Sequence, residues 1–208
     1  GFVSRNTPVN TKGTVIVFHG NAGTAYHRYF YAQALLNQGL RVILAEYPGY
    51  GGRPGKPSED VLVKDALKTF KLAHKMYGGP LFVWGESLGC GVAASAVNKT
   101  QIPIKAVVLF LPWDSLSNLA QTHYPFLPAR WLVQDRYNNI DNLKAFKGRI
   151  AVLLAGKDTV IPVHHGKRLY ASIKAEKKLW LFEDAGHNQM PVGAGLQWWK
   201  EVVRFISQ

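Results

Sequence analysis

The stretch Gly85-Glu86-Ser87-Leu88-Gly89 has the G-x-S-x-G form of a nucleophile held on a tight turn. It follows an apolar run, Leu81–Trp84, and precedes a small-residue helical stretch with Cys90, Gly91, Ala93 and Ala94. With 20 glycines in the chain, about 0.07 such matches are expected by chance, before any strand–turn–helix context is required. Flanking glycines let strand and helix approach closely, and the helix N-terminus favours negative charge beside the hydroxyl. A serine hydroxyl needs a base, and the base needs a carboxylate to orient it.

Seven histidines are candidates for the base. His187, in Asp184-Ala185-Gly186-His187-Asn188, follows the last apolar run and is the expected base. His74 falls on a lysine-lined helix, and His164 and His165 open another helix, so these three are expected to be solvated. The expected carboxylate is Asp158, in Gly156-Lys157-Asp158-Thr159, with Asp114 as its rival. Asp114-Ser115-Leu116 reads more easily as a helix cap. An oxyanion formed at Ser87 needs N–H donors. Leu88, next after the serine, supplies one, and the His19-Gly20-Asn21-Ala22-Gly23 loop supplies the second, from Asn21 or alternatively Ala22. His19 is expected to brace that loop rather than to act as a base. No histidine pair has H-x-x-x-H spacing and cysteines do not cluster, so a metal site is not expected.

These loops must be positioned by a sheet. Six short apolar runs, Thr14–Phe18, Arg41–Ala45, Leu81–Trp84, Ala106–Leu111, Ile150–Ala155 and Leu179–Phe182, are continuous rather than alternating, as in buried parallel strands. Helical patterns lie between and after them at Ala25–Gln38, Glu59–Tyr77 (capped by Ser58), Leu88–Asn98, Val163–Ile173 and Ala194–Ile206, the last with Leu196, Trp199, Val203 and Ile206 on one face. The alternation predicts a mostly parallel α/β sheet with helices on both faces, in one domain spanning 1–208. Pro112 to Lys147 breaks the rhythm as a cap-like insertion at about 112–147. Its aromatic residues Trp113, Tyr124, Phe126 and Trp131 are candidate walls of an apolar substrate pocket, the alternative being simple packing on the sheet.

Composition narrows the partners. The chain has 208 residues, 47% of them hydrophobic, and a net charge of +12. Lys64, Lys68, Lys71 and Lys75 fall opposite an apolar stripe, which is an ordinary solvated helix face. No nucleic-acid module is present, so an anionic membrane surface is the expected macromolecular partner if the charge has one. No apolar run approaches the roughly 20 residues of a membrane helix. The single cysteine, Cys90, excludes an internal disulfide, which fits a reducing compartment.

With HGNAGT at 19–24, YPGYGGRPGKPSE at 47–59, GESLG at 85–89, GKDTVIP at 156–162 and AGHN at 185–188, the sequence resembles the α/β-hydrolase superfamily. It looks closest to small serine hydrolases with an HGNAG oxyanion loop, and HYPFLPARWLVQDRYNN at 123–139 is also similar to that branch. The resemblance implies ester or thioester hydrolysis by Ser87, Asp158 and His187 without a cofactor, on a small acyl ester, a lipid or an acylated protein. Relatives of that branch are often tethered to membranes, so the expected location is cytoplasmic, or at a membrane through an N-terminal segment outside this chain. Two departures stand out. The antiparallel hairpin that usually opens the sheet is absent or reduced, and Arg53 replaces a common serine. The rivals are a peptidase of the prolyl-oligopeptidase type and a non-catalytic binding module of the same fold. The first needs an amine-recognition site or accessory domain that is not visible, and the second usually lacks a triad residue.

Overall fold

The computed structural model describes residues 1–5 and 10–208. Its seven strands are β1 (Phe2–Val3), β2 (Thr14–Phe18), β3 (Arg41–Ala45), β4 (Leu81–Glu86), β5 (Ile104–Phe110), β6 (Arg149–Ala155) and β7 (Lys177–Phe182). They form one sheet in the order β1-β3-β2-β4-β5-β6-β7. All pairs are parallel except β1 with β3, where Phe2 faces Leu44 and Val3 faces Ile43. Among the described residues the antiparallel part of the sheet is the two-residue β1 at its edge.

Alternation along the buried strands builds two cores. Ile16, Phe18, Val83, Val107, Leu109 and Val152 face α2 (Glu59–Tyr77), α3 (Leu88–Lys99) and α7 (Val163–Ser172). Val15, Val17, Phe82, Trp84, Val108 and Phe110 face α1 (Tyr29–Leu36) and α8 (Gln197–Ser207). The second core is aromatic: Trp84 lies 5.3 Å from Trp199 and 5.4 Å from Tyr31, ring centre to ring centre. Trp198 and Trp199 both turn inward, whereas Leu196, expected on the buried face, is exposed ahead of the helix. The helix predicted over Ala25–Gln38 is a 3₁₀ turn, Ala25–Arg28, leading into the shorter α1.

The region 112–147 holds α4 (Leu116–His123), α5 (Ala129–Leu132) and α6 (Asn139–Leu143). It leaves the sheet and returns at one point. Ser115 bridges Asn138, and Leu116 N–H donates to the Tyr137 carbonyl. Its return docks on α2: the Glu59 carboxylate accepts from the N–H groups of Arg136 and Tyr137, and Asp135 accepts from the Glu59 N–H.

The strand order positions the site. From β2 the chain moves outward to β3, then crosses back to β4 on the other side of β2. The loops leaving β2 and β4 therefore part in opposite directions and leave a crevice at the carboxyl edge, where open α/β sheets bind ligands.

Candidate active site

Ser87 sits in that crevice between β4 and α3, with φ 50° and ψ −114°. This strained backbone is held because the turn has no room to relax. A methyl on Gly85 would lie 2.5 Å from the Gly89 carbonyl oxygen, and one on Gly89 would lie 2.0 Å from that of Phe18. Ser87 N–H donates to the Phe110 carbonyl at 2.9 Å, tying the turn to β5. Cys90, in the first turn of α3, is fully buried, and burial pushes its thiol well above the ordinary range.

Asp158 and His187 come from the loops after β6 and β7. These loops are joined by Gly156 N–H to the Phe182 carbonyl and Lys157 N–H to the Ala185 carbonyl, both 2.9 Å. Oδ1 of Asp158 accepts from the N–H groups of Val160 and Ile161 at 2.9 and 2.7 Å. Its Oδ2 accepts from His187 Nδ1 at 2.7 Å. Donation from Nδ1 to the carboxylate leaves Nε2 of the neutral ring able to accept a proton. Ser87 and His187 line one cavity of about 430 Å³, without a direct hydrogen bond between them. Such contacts commonly tighten only when substrate is bound.

The loop after β2 forms the facing wall, with Gly20, Asn21 and Ala22 lining the cavity. A methyl on Gly20 would stand 3.5 Å from Ser87 Cβ, so the loop backbone comes up against the serine. Leu88 is the first residue of α3, so its N–H has no partner within the helix. His19 is buried behind the loop, with Nδ1 donating to the Gly20 carbonyl at 2.7 Å and Nε2 at 2.8 Å from Glu46 Oε1. The Tyr47 hydroxyl donates to the His19 carbonyl, and Tyr50 to the Asn21 side chain. His19 therefore braces the loop. Arg53, the departure in the next loop, pairs with Asp65 and donates to the Glu46 carbonyl.

One connection had no local signal. Arg28 makes a bidentate pair with Glu86, Nε to both oxygens at 2.9 and 3.0 Å, and its Nη2 donates to the Ala22 carbonyl at 3.0 Å. Burial works against the guanidinium charge, but the Glu86 carboxylate outweighs it and raises the pKa. One side chain thus joins the loop carrying Asn21 to the turn carrying Ser87. Glu86 lies inside the motif, but its partner is 58 residues away in sequence.

The rest of the wall is mostly apolar, with Phe30, Phe110, Leu111, Val160, Met190 and Val192 and the polar Asn188 beside His187. None of the four expected aromatic residues lines it. Trp113 is buried in the sheet core, its indole N–H turned to the Tyr137 carbonyl. Tyr124, Phe126 and Trp131 are exposed on the outside of the insertion. They fail as pocket walls because their side chains point to solvent, while the return of the insertion docks on α2.

Asp114 and His165 also differ from expectation. His165 is buried, not solvated, and its Nδ1 meets Asp114 Oδ1 at 2.8 Å. Asp114 is fully buried and also accepts from Arg168 and Asn118, while Ser115 is the side chain that caps α4. Burial opposes the Asp114 charge, yet the Ser115 N–H, the His165 ring and the Asn118 amide outweigh it and hold the carboxyl below its ordinary range. This second Asp–His pair joins α7 to α4 through Thr122, outside the cavity.

The sheet order, the strained serine turn and the crevice define an α/β-hydrolase. Residues 9–141 match the family model described as serine aminopeptidase, S33, and the chain belongs to that family. It is 33% identical to the uncharacterized protein Rv2307c of Mycobacterium tuberculosis, over all of this chain and 74% of that protein. It is also 33% identical to the lysophosphatidylserine lipase ABHD12 of Xenopus tropicalis, over 75% of this chain but only 45% of that one. Among solved structures, Est1E of Butyrivibrio proteoclasticus, with ferulic acid bound, superposes with a TM-score of 0.80 at 15% identity over 100% of this chain and 95% of that one. The esterase Pf2001 of Pyrococcus furiosus gives 0.72 at 19% identity, over 95% and 82%. These two likenesses concern the fold.

Proposed function

We propose that this chain is a serine hydrolase that cleaves carboxylic esters or thioesters through an acyl-enzyme on Ser87. The observation that carries the reading is the strained Ser87 opening into the same cavity as a His187 ring held at 2.7 Å by Asp158. Ser87 Oγ attacks the acyl carbonyl carbon while His187 Nε2 takes the hydroxyl proton. The oxyanion is held by the amides of Asn21 and Leu88. Collapse of the adduct breaks the bond to the leaving group, which departs with the proton from His187. Water then attacks the acyl-enzyme, with His187 again as base, and releases the acid and free Ser87. Asp158 holds the ring in its tautomer and stabilises the imidazolium.

The apolar wall of Phe30, Phe110, Leu111, Met190 and Val192 favours an acyl chain over a polar group, in line with the lipase activity named for ABHD12. The family description favours a second reading, aminopeptidase action. That chemistry needs a free carboxylate for the substrate ammonium. Of the two carboxylates at this site, Glu86 is held by Arg28 and Asp158 by His187.

Labelling with a fluorophosphonate probe tests the nucleophile. Wild type labels and Ser87→Ala does not, and kcat on a soluble ester falls by about 10⁴ or more with the fold retained. Labelling that persists in Ser87→Ala would overturn the assignment. Turnover of aminoacyl arylamides in preference to acyl esters would select the peptidase reading.

A further inference from the structure

The loop after α4, together with the short α5, presents large apolar side chains to solvent. Phe126 is 98% exposed and Trp131 80%, and Tyr124, Leu127 and Leu132 are also exposed. Five such side chains lie within nine residues, a concentration of exposed apolar groups of the kind that marks an interaction site. The loop is built to hold them there. The Gln121 side-chain amide donates to the carbonyls of Tyr124, Pro125 and Leu127, and its oxygen accepts from the Arg130 N–H. Its backbone polar groups are thus turned toward the protein and its apolar side chains away.

Two arginines border this surface. Arg130 lies within it and is exposed, as is Arg136 just beyond. The neighbouring acid Asp135 accepts from the Glu59 N–H. The whole chain carries +12. Aromatic rings with an arginine beside them suit a bilayer interface, where rings sit at headgroup level and the guanidinium reaches phosphate. Two-fold pairing of this face would instead bring two copies of Arg130 into one contact, like charge on like. The surface begins beside the cavity: His123, at the end of α4 and next to Tyr124, is hydrogen-bonded at 2.8 Å to the carbonyl of Val160, which lines it.

We propose that residues 124–132 dock on an anionic phospholipid bilayer and set the mouth of the Ser87 cavity at its surface. The delivery of a lipid ester from the membrane rests on the hydrolase reading above; the docking itself does not.

Co-sedimentation with vesicles separates the two. The full chain is mixed with vesicles of phosphatidylcholine, with or without about one third phosphatidylserine. Wild type partitions onto the anionic vesicles, and Phe126→Glu/Trp131→Glu lowers that partition at least about ten-fold. Arg130→Gln lowers it about five-fold on anionic vesicles and leaves binding to neutral ones unchanged. Hydrolysis of a soluble short-chain ester stays at the wild-type level in these variants, showing that they fold, while hydrolysis of a vesicle-borne ester falls in step with binding. Equal partition of wild type and the double variant, or no partition of folded wild type, would overturn the proposal. So would a wild-type dimer that the double variant abolishes, because the face would then belong to a second copy. Vesicle binding by a protein with no reactive serine would support the docking and overturn the hydrolase reading alone.

Discussion

Ser87 is held with φ 50° because Gly85 and Gly89 remove the side chains that would push strand and helix apart. A serine standing clear of its neighbours is available for attack, but it stabilises no oxyanion by itself. The two proposed donors lie on separate segments, and Arg28 spans them through Glu86 and the Ala22 carbonyl. Its role is positioning. Arg28→Gln is expected to lower kcat on a soluble ester about ten- to hundred-fold, with a smaller change in KM, because a shift of about 1 Å in the loop is enough. Glu86→Gln should act in the same direction, and the double variant should cost less than the product of the two single losses. Additive losses in steady-state kinetics would show that the pair does not act as a unit. Arg28→Lys should rescue poorly, because an ammonium cannot make the bidentate contact.

Among the elements, the contact of β2 with α3 is the tightest at the site. Gly89 brings the helix against the Phe18 carbonyl, at a distance where any added carbon collides with backbone. Gly89→Ala should therefore destabilise by about 3 kcal/mol or more, read by denaturant unfolding, and reduce fluorophosphonate labelling of what remains folded. On the other sheet face, α8 closes the aromatic core. Trp199 is fully buried against Trp84 and Tyr31, so Trp199→Ala should cost about 4 kcal/mol in the same measurement. A loss below about 1 kcal/mol would mean that the cavity collapses or that α8 contributes little.

For the whole molecule, the Asp114–His165 pair joins the start of the insertion to α7 across the top of the sheet. Its carboxyl is held below the ordinary range. A carboxyl depressed in the folded state contributes stability that is present above its unfolded pKa, about 3.9, and lost as pH falls through the lower folded value. Wild type should therefore lose stability below about pH 4, and its advantage over Asp114→Asn should shrink there. Unfolding curves for the two proteins at neutral and acid pH check this. A constant difference across that range would mean that Asp114 is not charged in the fold.

The order of β2 to β7 and of the helices outside the insertion, the Ser87 turn and the loops bearing Asn21, Asp158 and His187 were legible in the sequence, whereas β1 and α4 to α6 were not. Each depends on spacing within a few residues: a buried run, a glycine that permits a turn, or a polar residue just past a strand. Strand ends were less legible, as with β7, which begins at Lys177 because pairing with β6 extends it past its apolar run. Periodicity says which side of an element is apolar but not what that side meets. For that reason the sequence alone could not separate Trp113, which enters the core, from Trp131, which stays outside. Nor could it join Arg28 to Glu86 or Asp114 to His165, whose partners are 58 and 51 residues apart. Those contacts were decided by the sheet: the crossing from β3 back to β4 sets the loop after β2 beside the end of β4, and the parallel pairing of β5 with β6 sets Asp114 beside α7.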